Sequence, residues 1–160
     1  SIKMNLVNTD IEYKKLGDIC VLLPKSERPG SYGKEKGLYP FYITPGQKKL
    51  YCDNADYNEE LIIIGKHCIP GSNVNIKLSK CFSCSEHNFI IKINNQNTNY
   101  IYYWLAQNIQ TINNLCSGTM INTLSKEKLL NIKLPIPSLE VQARMVTEYD
   151  NLINIIQTNY

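Results

Sequence analysis

The sequence predicts an α+β fold, with a mixed, partly barrel-like β-sheet, a few helices and a C-terminal helix that begins a coiled-coil spacer. Three observations lead there. Up to about Asn97, short runs rich in β-branched and aromatic residues alternate with Gly, Pro and Asn punctuation, the pattern of strands and turns. Beyond Asn97, apolar residues recur at three- and four-residue spacing, the helical period. After Pro135-Ile136-Pro137 the period is helical again and is still running at Tyr160.

Taken in order, the predicted strands are Leu16 to Leu23, Tyr39 to Thr44, Leu61 to Gly65, Asn73 to Leu78 and Phe89 to Ile93. The turn Gly65-Lys66-His67-Cys68-Ile69-Pro70-Gly71 holds two glycines and a proline, which presents Lys66 and His67 at the rim of the sheet. A plain connection with a solvated Lys66 fits the same residues. Thr98 is placed to cap a helix carrying Ile101, Trp104, Leu105, Ile109, Ile112 and Leu115. A loop at Ser117-Gly118-Thr119, a short helix capped by Ser125 and a strand Ile132 to Pro135 lead to the double proline. Ser138 then caps a helix in which Met145, Tyr149, Leu152 and Ile156 form a seam for a partner helix. Two heptads are too few for an independent coiled coil, so the same residues also fit a terminal helix packed on its own domain. The unfinished pattern implies a longer helix cut short.

At 160 residues and 18.3 kDa the chain has room for one well-buried core. Hydrophobic residues make up 43% and charged residues 19%, and no apolar run is long enough to cross a bilayer, which argues against a membrane protein. The start, Ser-Ile-Lys-Met-Asn-Leu, has neither an apolar signal region nor an initiating Met; it reads as an excised piece of a cytoplasmic protein. Six scattered cysteines (Cys20, Cys52, Cys68, Cys81, Cys84, Cys116) in a chain of this size read as reduced thiols. A net charge of +3 permits a polyanionic partner without announcing one.

Catalytic groups are scarce. Two histidines, no GxSxG, no phosphate-binding glycine loop, no glycine-rich cofactor loop and no base-flipping motif point away from an enzyme and from a cofactor held by this chain. Cys81-Phe-Ser-Cys84 followed by His87 has zinc-like spacing, but the second ligand pair would come from the adjacent His67 and Cys68, whose side chains diverge on a strand. Small buried hydrophobes are the simpler reading of those cysteines. The segment 34–49 places Lys34, Lys36, Lys48 and Lys49 on either side of an aromatic strand, where they can clasp phosphates. Thr44, Gln47, Asn73 and Asn75 are residue types that read base edges, and Lys66, His67 and Lys77 complete the candidate DNA-binding set.

Lys15-Leu-Gly-Asp-Ile19, Leu38-Tyr-Pro-Phe-Tyr42, Leu61-Ile-Ile-Ile-Gly65 with Gly71, Cys116-Ser-Gly-Thr119, Leu124 to Leu129, and Ile132-Lys-Leu-Pro-Ile-Pro137 through Leu139-Glu-Val-Gln142, in that order, resemble the target recognition domain of type I restriction-modification specificity subunits. The resemblance spans about Tyr13 to Leu152, and its most specific piece is the strand closing in Pro-x-Pro before Leu139 and Gln142. It implies a recognition domain, residues 1–137, joined to the start of a conserved spacer helix, residues 138–160. It further implies double-stranded DNA as ligand, sequence read by loops, and docking to modification subunits that methylate adenine with S-adenosylmethionine, with a restriction subunit alongside. The spacer helix would lead to a second recognition half or to a homodimer. Two departures stand out: Cys68 and Pro70 occupy a turn where the family often has further Gly, and Arg144-Met-Val replaces a commoner Ile and Val run.

On this reading lysines fix the domain on phosphates while amide and hydroxyl groups read bases, and replacing Lys34 and Lys36 flattens the salt dependence of binding. The alternatives are a protein-interaction module on the same fold, a recognition domain fused to an endonuclease-methyltransferase, and a zinc-stabilised domain of other function.

Overall fold

A computed structural model describes residues 11–43, 48–116 and 122–159. The strands in chain order are β1 (Glu12–Lys15), β2 (Cys20–Leu22), β3 (Tyr39–Tyr42), β4 (Leu50–Cys52), β5 (Leu61–Gly65), β6 (His67–Cys68), β7 (Ile76–Ser79), β8 (Ser83–Cys84), β9 (Asn88–Ile93), β10 (Asn122–Thr123) and β11 (Lys133–Ile136). The helices are α1 (Thr98–Gln107), α2 (Ile109–Asn113), α3 (Lys126–Leu130) and α4 (Leu139–Thr158).

Leu61-Ile-Ile-Ile-Gly65 makes β5 the centre of the molecule because every residue in it is buried. An antiparallel sheet of order β2-β9-β5-β7 forms around it. Side chains alternate across a strand, so Ile62 and Ile64 join the main core with Ile91, Ile101, Leu105 and Leu134, while Leu61 and Ile63 face a second cluster with Phe82, Cys84 and Ile90. The second cluster is covered by a smaller sheet of order β4-β3-β8, in which β3 and β8 run parallel. Two sheets face each other in part, and no single sheet closes into a barrel among the described residues.

Four sequence expectations change in detail. The predicted strand Leu16 to Leu23 is broken by a 3-10 turn at Leu16–Asp18. A Cβ on Gly17 would lie 3.1 Å from the Leu130 carbonyl oxygen, so the turn packs tightly on the end of α3. The strand predicted from Asn73 begins only at Ile76. Asn97, rather than Thr98, caps α1, its side-chain oxygen accepting the Tyr100 N–H at 3.1 Å. The helix beyond it is two helices, because the Asn108 side chain donates to the Trp104 carbonyl (2.8 Å) and diverts the chain there. The Ser125 and Ser138 caps form as expected, accepting from Lys128 and Val141. Predicted residues Thr44, Gln47 and Ser117-Gly118-Thr119 lie outside the described residues.

The final helix corrects the expected seam. Met145 is 3% exposed and belongs to the domain's own core, so it is not available to a partner helix. The Tyr149 ring lies 4.5 Å from that of Tyr103 on α1, and the Tyr103 hydroxyl donates to the Asp150 carboxylate. Gln142 is fully buried and ties the two helices together: its Oε1 accepts the Asn97 N–H (2.9 Å), and its Nε2 donates to Gln96 Oε1 and the Pro137 carbonyl (both 2.8 Å). Tyr100 donates to the Pro135 carbonyl (2.8 Å) beside it. The outer half of α4 exposes Leu152, Ile155 and Ile156.

The expectation of six reduced thiols is also corrected. Cys68 on β6 and Cys116 beyond α2 form a disulfide across 48 residues, with Cα atoms 6.2 Å apart. Spacing along the chain could not reveal it, because the pair meets only once β6 and α2 pack on the same core.

Candidate nucleic-acid interface

Lys77 stands opposite Ile63 across the β5–β7 ladder. Cross-strand partners share a face, so Lys77 emerges on the side of the main sheet that the smaller sheet covers. The smaller sheet does not cover it fully. Between β7 and the β3–β4 hairpin lies a groove of about 580 Å³, walled by Tyr42, Ile43 and Tyr51 and bearing Lys48, Lys49, Asn75 and Lys77. Asn88 lies in its wall, buried and anchored by donating to the Ser85 carbonyl and hydroxyl, each at 3.1 Å. The register Tyr39↔Cys52 and Phe41↔Leu50 holds the hairpin. It is packed closely at Gly37, where a Cβ would come within 2.7 Å of the Cys52 carbonyl oxygen.

The groove gathers Lys48, Lys49, Asn75 and Lys77 from the sequence-derived set. Lys48 lies 3.9 Å from Glu35, a loose and exposed contact, whereas Lys49 and Lys77 are exposed without an ion-pair partner among the described residues. Lys34 does not line the groove. It pairs with Asp53, and that hydrogen bond raises its pKa, so its charge is already answered. Lys36 is exposed outside the groove lining. Asn73 is taken up in structure: its Oδ1 accepts from Asn113 Nδ2 at 2.9 Å, while Asn113 Oδ1 accepts the Val74 N–H at 2.9 Å.

Lys66 and His67 lie at the end of β5. The Lys66 ammonium sits 5.0 Å from the centre of the Phe89 ring, and burial, then the charge of Lys25, lowers its pKa. The His67 ring is 4.9 Å from that of His87; burial first, then His87 and Lys66, lowers its pKa, and its Nδ1 is buried with no hydrogen-bond partner among the described residues. Sequence reasoning missed Tyr51, Asn88 and Lys25 as neighbours of the basic set, because nothing local distinguishes them from other polar or aromatic residues.

The zinc-like pair is pulled apart. Cys84 is fully buried in the second cluster, where desolvation pushes its thiol up to about 12, while Cys81 is exposed. His87 lies 3.4 Å from Glu86 instead. Among the described residues no three His, Cys, Asp or Glu side chains converge as a metal centre. Arg28 is held by a two-pronged bond to Asp56 (2.6 and 2.8 Å) and stacks over Tyr32 at 4.0 Å. The arrangement therefore offers exposed lysines, amides and aromatic walls, which can hold a phosphate backbone and meet base edges.

Solved structures share the fold, the following three among them. The chain matches a type I restriction-modification system S subunit from M. genitalium with a TM-score of 0.74 at 16% identity, covering 98% of this chain and 45% of that one. It matches a structure described as the basis of complex assembly and conformational transition of the type I R-M system with a TM-score of 0.67 at 16% identity, covering 96% and 41%. It matches the HsdS subunit from Thermoanaerobacter tengcongensis with a TM-score of 0.60 at 15% identity, covering 96% and 40%. The chain thus spans less than half the length of each of these three structures. No curated protein sequence matches it. The family model described as "Type I restriction modification DNA specificity domain" matches residues 8–159, nearly the whole sequence, and the chain belongs to that family, whose work is DNA recognition and not catalysis.

Proposed function

We propose that this chain reads a short sequence in double-stranded DNA as one recognition half of a type I specificity subunit. The observation that carries the reading is the groove, which brings Lys48, Lys49, Lys77 and Asn75 to one surface of a chain in a DNA-specificity family. The lysines hold phosphates and set the register, while Asn75 and the loop residues around the groove read base edges. Residues 1–137 act as the recognition unit, and 138–160 begin the spacer that sets the distance to a second half, supplied by the same subunit or by a symmetry mate. Leu152, Ile155 and Ile156 give that spacer an exposed apolar stripe for a partner helix. Methylation and cleavage belong to partner subunits, with S-adenosylmethionine held by the methyltransferase.

The test is retention of a duplex by the wild-type chain and by the Lys48→Ala, Lys49→Ala, Lys77→Ala triple variant across a salt series. The expected result is steep salt dependence in the wild type and a slope shallower by about 0.9 for each phosphate contact removed. Equal slopes would remove the groove from the interface. One observation favours a protein-interaction module: Lys34 and Lys48 already face acidic neighbours. On that reading the wild type retains no duplex even at low salt.

A further inference from the structure

Three connecting segments converge where β5 ends. The Lys66 N–H donates to the His87 carbonyl (3.0 Å), and the Glu86 N–H donates to the Arg28 carbonyl (2.9 Å), which draws the segment after β2 toward the turn before β9. The side chains assembled there are Lys25, Lys66, His67 and His87; Glu86 opposes the charge of Lys66 and is directed at His87 from 3.4 Å. Strand β10, which pairs His67 with Thr123, adds no ionisable group. Clustering like charges around a partly buried histidine disfavours its protonated form. Burial first, and then this like-charge pressure, lowers the pKa of both His67 and Lys66, and the buried His67 Nδ1 has no hydrogen-bond partner among the described residues. An anion placed between these groups would relieve the pressure. The cluster adjoins the groove, because Gly65, just before Lys66, pairs with Asn88, which lines the groove and follows His87.

We propose that Lys25, Lys66, His67 and His87 form a phosphate-binding cluster at the end of β5 that takes a phosphodiester of the bound nucleic acid and tightens as its two imidazoles protonate. The proposal rests on the DNA reading above and adds a second contact point, outside the groove, whose strength depends on pH. A phosphodiester held there favours the protonated form of an imidazole beside it, so protons are taken up with the DNA, and affinity rises as pH falls.

The test measures binding of a random-sequence duplex at about pH 8 and about pH 6, where only histidine-like groups change charge. Wild type, His67→Gln, His87→Gln and Lys25→Ala are compared; Lys25 and His87 lie at the surface, so their variants keep the fold even if His67→Gln does not. The wild type is expected to bind about tenfold more tightly at the lower pH. His87→Gln should lose most of that gain, and Lys25→Ala should weaken binding at both pH values. An unchanged gain in His87→Gln overturns the cluster while leaving the groove in place. Inorganic phosphate, followed through the two imidazoles by NMR, separates the two claims. Raised histidine pKa values without duplex retention would support an anion site and defeat the DNA reading; no response to phosphate and no pH effect on duplex binding defeats the cluster.

Discussion

Lys34 and Lys49 are equivalent in the sequence, flanking the same aromatic strand, yet the fold gives them different work. Lys34 is bonded to Asp53, whereas Lys49 and Lys77 project at the groove without an ion-pair partner among the described residues. Replacing Lys49 or Lys77 by Ala is therefore expected to flatten the salt slope of duplex binding by about 0.9 each, and replacing Lys34 to change it less. A salt titration of the three variants decides the matter, and equal effects would count against the groove. Asp56 gives a second test at this scale. Its bond to the Arg28 guanidinium lowers its pKa below the usual carboxylate value. The sign follows: the stabilisation is fully present above the unfolded pKa and is lost as pH falls through the lower, folded one. Asp56→Asn should melt below the wild type at neutral pH, and the gap should close as pH drops below about 4. A gap that stays constant would mean that the pair contributes nothing. Residue type and place beside or on a strand were legible for Lys48, Lys49 and Lys77; the ion pair that silences Lys34 and the amide pairing that occupies Asn73 were not, because their partners lie 19 and 40 residues away.

The elements that were legible are those whose pattern is self-sufficient. Leu61–Gly65, Lys126–Leu130 and the start of α4 carry an apolar run or a serine cap and appear where the sequence places them. Strand β1 was not legible, because Glu12-Tyr-Lys-Lys15 lies on an exposed two-stranded ribbon whose backbone bonds to β11 substitute for apolar burial. The Pro-x-Pro to Gln142 signature acquires a physical meaning. The buried amide of Gln142 bonds the chain just before α1 and the Pro137 carbonyl at once, which sets how α4 leaves the domain. Gln142→Ala removes these partners and leaves buried polar groups unpaired, at a cost of about 2 to 4 kcal/mol. That corresponds to a fall of roughly 4 to 16 °C in melting temperature for a chain of this size. Calorimetry reads this directly, and a change under a degree would show the network to be incidental.

At the scale of the molecule, the main core takes side chains from β5 and β9 at its centre out to α1 and α4, and the Cys68–Cys116 link crosses it from β6 to the end of α2. Closing a loop of that length contributes on the order of 4 kcal/mol on the chain-entropy account. Cys116→Ser should therefore lower the melting temperature under oxidising conditions, and adding a reductant should bring the wild type close to the variant. Identical melting with and without reductant would mean that the bridge does not stabilise the chain. No helix among the described residues is long and apolar enough to cross a membrane. The overall architecture was readable from composition and period because one sheet and one terminal helix dominate it; the groove was not, since its lining comes from β7 and from the β3–β4 hairpin, which only the fold brings together.

The central claim is sequence-specific DNA reading, and it is met most directly by binding the chain to a randomised duplex library at two salt concentrations and sequencing the retained fraction. The expected result is enrichment of one short motif, with retention that falls steeply as salt rises. Retention with no motif, or no retention at the lower salt, would contradict it.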